Sequence, residues 1–361
     1  MKEKRVIISG GGTGGHLYPA LVLGQKLQEQ APHLELTYVG SSREAEKNIM
    51  AHHKVKFVPM KIEGLKGRGL RSLKTIVMLP GSFLKSLSLL LRIKPDLVVG
   101  VGGFSSGPIV LLASLMKIPT LILEQNLRPG FTNRLLIPRV RRAVVAFEAS
   151  LDYFKGKGVF LGNPVREEFY RLPGKTRTAR LTLLIFGGSQ GSHFLNQALA
   201  ATLPWLEKVK NRLVIFHQTG LADSEWVKQR YAQHGFGEAV VAPYFHDMPD
   251  YFAKADLIIS RAGATTCAEL VAARKAALLI PFARASENHQ ASNAGELKRV
   301  GGAEVILEAE FTPQGLAERI LDFLEHPEKI YVMEKNLARL KQDRAADRIA
   351  GLCFELMEAR S

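Results

Sequence analysis

The chain has 361 residues, 46% apolar and 23% charged, and 49 Lys and Arg against 34 Asp and Glu give it a formal charge of +15. That length points to about two domains, and the composition is that of a globular protein rather than a low-complexity one. The basic excess favours polyanionic partners: nucleic acid, phosphate-bearing substrates or an anionic membrane face.

Cys267 and Cys353 are far apart and fit no metal or redox spacing, so a reducing compartment is expected. No secretory signal is expected, because the apolar run Val6–Ile8 ends at once in Ser9 and glycines. The best apolar run, Ile109–Met116, is stopped by Lys117 and Pro119, well short of a membrane span.

In chain order, β-rich runs are expected at Arg5–Ser9, Leu34–Val39, Lys56–Lys61, Asp96–Val101, Thr120–Glu124 and Ala143–Ala146. Helical patterns fall between them, as at Pro19–Gln30 and Gly107–Met116. The rhythm restarts at Leu181–Phe186, Arg212–His217, Glu238–Pro243, Asp256–Ser260, Ala276–Pro281 and Ala303–Leu307. Strands alternating with helices imply parallel βαβ units covered on both faces. Val6–His16 and Leu183–His193 are each a first strand, a Gly-rich turn and a helix start. The expected fold class is therefore α/β, with two Rossmann-like doubly wound parallel-sheet domains facing across a cleft. The seam is placed near Gly162-Asn163-Pro164, with domains at residues 1–163 and 164–335.

Three Gly-rich loops follow strands: Gly10–Gly15, Gly100–Gly107 and Gly187–Gly191. Glycine lets backbone approach a ligand closely, and a helix N-terminus just beyond offers N–H groups to an anion. Each loop alone reads equally well as a tight turn; three at corresponding strand ends favour phosphate binding. Gly10-x-Gly12-x-x-Gly15 matches the dinucleotide fingerprint, but the second strand runs out in Val39-Gly40-Ser41-Ser42-Arg43 with no acid. An NADP reading through Arg43 remains, and it leaves the other two loops unexplained. Ser260–Glu269 is a strand end, a small-residue turn and a helix start. Ala264, Thr265 and Thr266 there would offer donors to a diphosphate, and Glu269, one turn in, would accept from ribose hydroxyls. An N-capped helix with a solvated Glu269 is the structural alternative.

Taken together, Gly10–His16 with Pro19, Gly102–Pro108, Glu124-Gln125-Asn126, Gly162–Arg166, Gly187–Gly191, Ser260–Glu269 and His289-Gln290 resemble, in order and over nearly the whole chain, the peptidoglycan GlcNAc-transferases of glycosyltransferase family 28 (the MurG family). The resemblance implies the GT-B architecture, with residues 336–361 forming a final helix that packs back on the first domain. It implies inverting, metal-independent transfer of GlcNAc from UDP-GlcNAc to the MurNAc 4-hydroxyl of undecaprenyl-diphosphate-MurNAc-pentapeptide, lipid I becoming lipid II, with no cofactor. By position, Thr13, Gly14, Gly15, Asn126, Arg166 and Ser189 would lie beside the donor. Phe245 would contact the uracil through its backbone. Ala264, Thr265, Thr266, Cys267, Ala268 and Glu269 would hold the diphosphate and ribose, and Gln290 the GlcNAc hydroxyls. Two departures stand out: Leu123 occupies the place of a usual His, and Ala283-Arg284 follows Pro281-Phe282 where the family often has Pro-His.

An inverting transfer needs a base for the acceptor hydroxyl and stabilisation of the departing UDP. His16 is the candidate base and Glu124 the second, with Glu124 and Asn126 also placed to orient the acceptor. The structural alternative for His16 is a residue that only caps or orients its loop. The leaving-group charge would fall to backbone N–H groups, Thr265 and Thr266.

Between Lys54 and Lys94 lie ten Lys or Arg and one acid, Glu63, interleaved with Leu70, Leu73, Ile76, Val77, Leu79, Phe83, Leu84 and Leu87. Pro80-Gly81 is expected to interrupt the helix there. Arg128, Arg134, Arg139, Arg141 and Arg142 add a second basic stretch. This is the expected docking surface for an anionic membrane, at the cytoplasmic face of a bacterial inner membrane. Most of these apolar residues read equally well as core-facing. No nucleic-acid recognition motif is present. Rival functions are a UDP-GlcNAc 2-epimerase, a donor-binding subunit needing a catalytic partner, and an NADP oxidoreductase.

Overall fold

The computed structural model describes residues 3–11, 14–60, 70–175, 178–283, 285, 288–340 and 344–359. Short Val-, Ile- and Leu-rich runs form parallel strands because apolar side chains point to both faces and must be covered on both. The first sheet comprises β1 (Arg5–Ser9), β2 (Glu35–Ser41), β3 (Phe57–Met60), β4 (Leu97–Gly100), β5 (Thr120–Glu124), β6 (Arg142–Val145) and β7 (Gly158–Phe160), in the order β3-β2-β1-β4-β5-β6-β7. The second comprises β8 (Leu181–Phe186), β9 (Leu213–Gln218), β10 (Val240–Ala242), β11 (Leu257–Ser260), β12 (Ala277–Leu279) and β13 (Ala303–Val305), in the order β10-β9-β8-β11-β12-β13. Relative to its first strand, the first runs 3-2-1-4-5-6-7 and the second 3-2-1-4-5-6, the doubly wound order with a crevice where the winding reverses. The edge strand β7 has no counterpart among the sequence expectations; three half-buried residues are too short a run to show periodicity.

Around the first sheet stand α1 (Gly14–Gln30), α2 (Glu44–His52), α3 (Leu70–Ile93), α4 (Ser106–Leu115) and α5 (Phe131–Leu136). Around the second stand α6 (His193–Leu206), α7 (Ser224–Gln233), α8 (Met248–Lys254), α9 (Ala264–Ala273), α10 (His289–Arg299), α11 (Pro313–Glu325) and α12 (Glu328–Leu337). Alternate side chains of β1 serve different layers. Val6 and Ile8 join α1 in one core, and Ile7 joins α3, α4 and α5 in the other.

The chain divides into two compact units, Met1–Val165 with Gln342–Ser361, and Arg166–Lys341. The second seam falls after α12, not inside it as a boundary at 335/336 requires. The last helix, α13 (Ala345–Glu358), belongs to the first unit, where Ile349, Cys353 and Leu356 enter the core beside α1.

One expectation needs correcting. Pro80-Gly81 does not interrupt α3, which runs through Pro80. A proline deletes one backbone bond and crowds the preceding turn, but the turns after it are held by buried Ser86, Leu89 and Leu90. Helix α1 likewise starts at Gly14 and carries Pro19 inside it.

Ile349 is fully buried in this core. Ile349→Ala is expected to cost about 2–5 kcal/mol, read as a lowered urea midpoint; an unchanged midpoint would mean that α13 does not stabilise the first unit.

Candidate active site

In the first unit the carboxyl ends of β1, β4 and β5 lie side by side and feed α1, α4 and the 125–130 turn. The turn after β4 carries Gly102 at φ 92° and Gly103 at φ 80°. A Cβ on Gly102 would stand 2.7 Å from His16 Cδ2 and 2.9 Å from Nε2, and one on Gly103 would overlap the Gly11 carbonyl. The two glycines let the loop pack against the start of α1 and its imidazole. Beneath Gly11 lies the buried carboxyl group of Glu46, which accepts the Ser41 N–H at 3.1 Å and bonds the Ser41 hydroxyl.

Glu124 ends β5, 3% exposed. Its Oε1 accepts from Asn126 N at 3.0 Å and Asn126 Nδ2 at 3.1 Å. Its Oε2 accepts from Gly130 N at 2.9 Å and Asn133 Nδ2 at 2.8 Å. Burial pushes the carboxyl above the usual range while these four bonds pull it back. Both oxygens are committed to shaping the turn into α5. Gln125, next in sequence, faces the other way and donates its amide to Val101 O at 3.0 Å. Leu123, the first departure from the family pattern, packs in the core beside α1, so that change repacks apolar side chains.

In the second unit the 187–191 turn leads into α6, capped by Ser192 accepting from Leu195 N. Gln218, at the end of β9, ties two turns together. Its Nε2 donates to Gly188 O at 3.0 Å, and its Oε1 accepts from Phe245 N at 2.8 Å. The Phe245 ring is buried and stacks on Tyr251; with its N–H taken, its carbonyl is the polar group it has left for a base. Ser189 is exposed on the turn.

Helix α9 begins after Gly263. The N–H groups of Ala264, Thr265 and Thr266 fall in its first turn, where helical geometry supplies no intrahelical acceptor, whereas Cys267 N–H is spent on Gly263 O at 2.9 Å. The Cys267 and Ala268 side chains are buried, and burial pushes the Cys267 thiol up to about 12. Glu269 pairs with Arg166 at 3.7 Å. Gln290 Oε1 accepts from Phe282 N at 2.9 Å and Ala262 N at 3.3 Å, which leaves its NH₂ as the donor.

The structure thus brings Gly14, Gly15, His16, Glu124 and Asn126 to one carboxyl edge, and Arg166, Ser189, Phe245, Ala264, Thr265, Thr266, Glu269 and Gln290 to the other unit. Thr13 and Arg284 lie outside the described residues. Sequence reading missed Gln125, Gln218, Glu46 and Arg261. Arg261 is buried between the Phe194 and Phe282 rings, pairs with Glu308 at 2.6 Å and donates to the Ser192 cap at 3.0 Å. Its place at the end of β11 was a signal that could have found it.

Two doubly wound units with glycine turns and helix N-termini at their carboxyl edges define a class of enzymes that handle nucleotide-linked substrates. The C-terminal domain model of glycosyltransferase family 28 matches residues 182–349, and the N-terminal domain model matches residues 6–145. The chain belongs to glycosyltransferase family 28. It is 42% identical over 357 residues, 98% of this chain and 93% of the relative, to the UDP-N-acetylglucosamine--N-acetylmuramyl-(pentapeptide) pyrophosphoryl-undecaprenol N-acetylglucosamine transferase of Myxococcus xanthus. A crystal structure of MurG from Acinetobacter baumannii superposes with a TM-score of 0.76 at 28% identity, covering 98% of this chain and 99% of that one. A UDP-GlcNAc 2-epimerase from Neisseria meningitidis shares the fold alone, at 15% identity and a TM-score of 0.67, over 97% of this chain and 100% of that one.

Burial pushes the Glu269 carboxyl from the ordinary 4.5 up to about 7, against the pull of Arg166. The folded protein then binds more protons than the unfolded chain between these values, so this group lowers stability as pH rises through the window. Glu269→Gln removes the titration. The stability of the variant minus that of the wild type, from urea unfolding, is expected to grow as pH rises from about 4.5 to about 7; a constant difference would place the titration elsewhere.

Proposed function

We infer that the protein transfers GlcNAc from UDP-GlcNAc to the MurNAc 4-hydroxyl of undecaprenyl-diphosphate-linked MurNAc-pentapeptide, with inversion and without a metal. One observation carries this reading: the 42% identity to a transferase of that name spans 98% of the chain, and so both half-sites. The second unit takes the donor. The first turn of α9 offers N–H groups and the Thr265 and Thr266 hydroxyls to the diphosphate, Glu269 accepts from the ribose, and Gln290 donates to the sugar. Arg261, paired with Glu308, holds the α6 cap from behind.

In the first unit His16 is the base. The acceptor oxygen attacks the anomeric carbon from the face opposite UDP, the bond from that carbon to the phosphate oxygen breaks, and the hydroxyl proton goes to the imidazole. UDP departs with its charge met by fixed donors, a term often among the largest in catalysis. Glu124 serves better as a brace than as a base, because four donors already occupy its oxygens. His16→Ala is expected to lower kcat by about 10²- to 10⁴-fold while UDP-GlcNAc binding by calorimetry is retained. Labelled GlcNAc should reach a lipid I analogue with EDTA present. Donor binding without transfer would leave the nucleotide site standing and remove the acceptor assignment.

The acceptor's lipid requires a docking surface, and the α3–α4–α5 face of the first unit fits it. Leu84 is 69% exposed, Leu91 55%, Leu115 62% and Leu135 59%. Exposed Arg92, Lys94, Lys117, Arg134, Arg139 and Arg141 flank them. Each basic side chain near an anionic leaflet is worth about 1 kcal/mol, and apolar residues beside it enter the interface. No helix among the described residues is long and apolar enough to cross a membrane. Part of the expected basic surface, residues 61–69, lies outside the described residues. The pair Leu84→Glu and Leu135→Glu is expected to weaken sedimentation with phosphatidylglycerol vesicles at least about tenfold, with turnover of a water-soluble acceptor as the control for folding. Undiminished sedimentation would move the docking surface elsewhere.

A further inference from the structure

Arg261, the first residue past β11, is 6% exposed, and its guanidinium is held from three other turns of the second unit. Its Nε donates to the Ser192 hydroxyl at 3.0 Å, its Nη1 donates to Ile280 O at 2.9 Å, and Glu308 Oε1 lies 2.6 Å from the same Nη1. The Phe194 and Phe282 rings stand 5.2 and 5.5 Å from it. Two of these holds lead to residues placed beside the donor. Ser192 closes the turn that carries Ser189, and its Cβ lies 2.3 Å from where a Cβ on Gly187 would stand, so the cap and the start of the turn are packed as one piece. Ile280 precedes Pro281 and Phe282, and Ala262 follows Arg261; the Phe282 and Ala262 N–H groups both go to Gln290 Oε1. The third hold, Glu308, comes from the short 308–310 turn after β13 and reaches the end of β11 past β12. A guanidinium this buried stays in place only while its charge is met, and an uncompensated one is drawn toward water.

We propose that Glu308 is a positioning residue for the donor: by holding the Arg261 guanidinium against Ser192 and Ile280, it orders both the turn that carries Ser189 and the side chain of Gln290 before UDP-GlcNAc arrives. Glu308 acts through Arg261 and touches no ligand in this role. Ordering completed in the free protein takes nothing from affinity, whereas ordering left until binding does. The two arms serve different parts of the ligand. The Ser192 arm supports the diphosphate, which UDP and UDP-GlcNAc share; the Ile280 arm supports Gln290, which only the sugar meets. This role rests on the second unit taking the donor.

The test is calorimetry of the full chain with UDP-GlcNAc and with UDP, beside kinetics with a lipid I analogue. Glu308→Gln keeps the shape of the side chain and removes its charge. It is expected to weaken UDP-GlcNAc binding about 10- to 30-fold, as two turns are then ordered only on binding, and UDP binding by a smaller factor, about three- to fivefold. KM for UDP-GlcNAc should rise in step, with KM for the acceptor within about twofold. A role confined to stability would instead lower the folded fraction, and kcat with it, while the folded protein bound both ligands as before. Arg261→Met combined with Glu308→Leu puts apolar side chains between the same two rings. This pair is expected to melt no lower than Glu308→Gln, because neither charge is left buried alone, and still to bind UDP-GlcNAc about tenfold more weakly than wild type. UDP-GlcNAc affinity within about twofold of wild type in either variant, or a loss in Glu308→Gln shared equally by UDP and UDP-GlcNAc, would overturn the proposal. A Glu308→Gln chain that fails to fold leaves the apolar pair to decide. A wild-type chain that binds neither ligand removes the donor assignment first, and this role with it.

Discussion

Everything at the two carboxyl edges depends on one constraint: a parallel strand that hands its chain to a helix leaves polar backbone groups at the turn, and these must find partners without closing the space a ligand needs. Glutamine side chains do much of this. Gln218 bridges the Gly188 carbonyl and the Phe245 N–H, and Gln290 gathers the N–H groups of Ala262 and Phe282. A neutral amide can donate at one end and accept at the other, so it ties two turns without adding charge. Asn196 extends the pattern, donating to Thr219 O and Asp223 while it accepts from buried His217, which burial holds neutral by lowering it to about 3.

The same topology is backed by different polar groups in the two units. The first glycine turn is backed by the carboxyl group of Glu46, around which Gly11 and Gly40 leave room. The corresponding turn of the second unit is backed, through Ser192, by the guanidinium of Arg261. The guanidinium is itself paired with Glu308 at 2.6 Å, so the second turn is backed by an ion pair and the first by a carboxyl group. The two sheets share one strand order and differ in what holds their first turns.

The strands were legible because their signal is local. β1, β5 and β8 are apolar runs closed by glycine or polar residues, and the matching turns at Gly10 and Gly187 exposed the repeat of halves. Candidate ligand-facing residues could be named from motifs. Those that hold the turns could not: Gln125 and Gln218 act on backbone atoms far away in sequence, and nothing in their neighbours distinguishes them from any glutamine at a strand end. Within Ser260–Glu269, helical periodicity turns the Cys267 and Ala268 side chains to the core and leaves Thr265, Thr266 and Glu269 outward. Pro80 misled because a local rule was outweighed by the packing of the turns after it.

The segment Leu123-Glu124-Gln125-Asn126 shows why losing activity at one residue does not identify a base. Its side chains alternate across the strand end, so neighbours in sequence serve different partners. Leu123 fills the α1 core, and Glu124 gathers Asn126, Gly130 and Asn133 into the α5 turn. Removing the Glu124 carboxyl would strand four donors and loosen that turn, a large effect on turnover with no proton moved. Removing the Gln125 carbonyl strands nothing among the described residues, because its oxygen has no partner there at rest. A substitution that removes the whole Gln125 amide frees the Val101 carbonyl as well, so a loss of turnover at either residue reports the turn before it reports a proton.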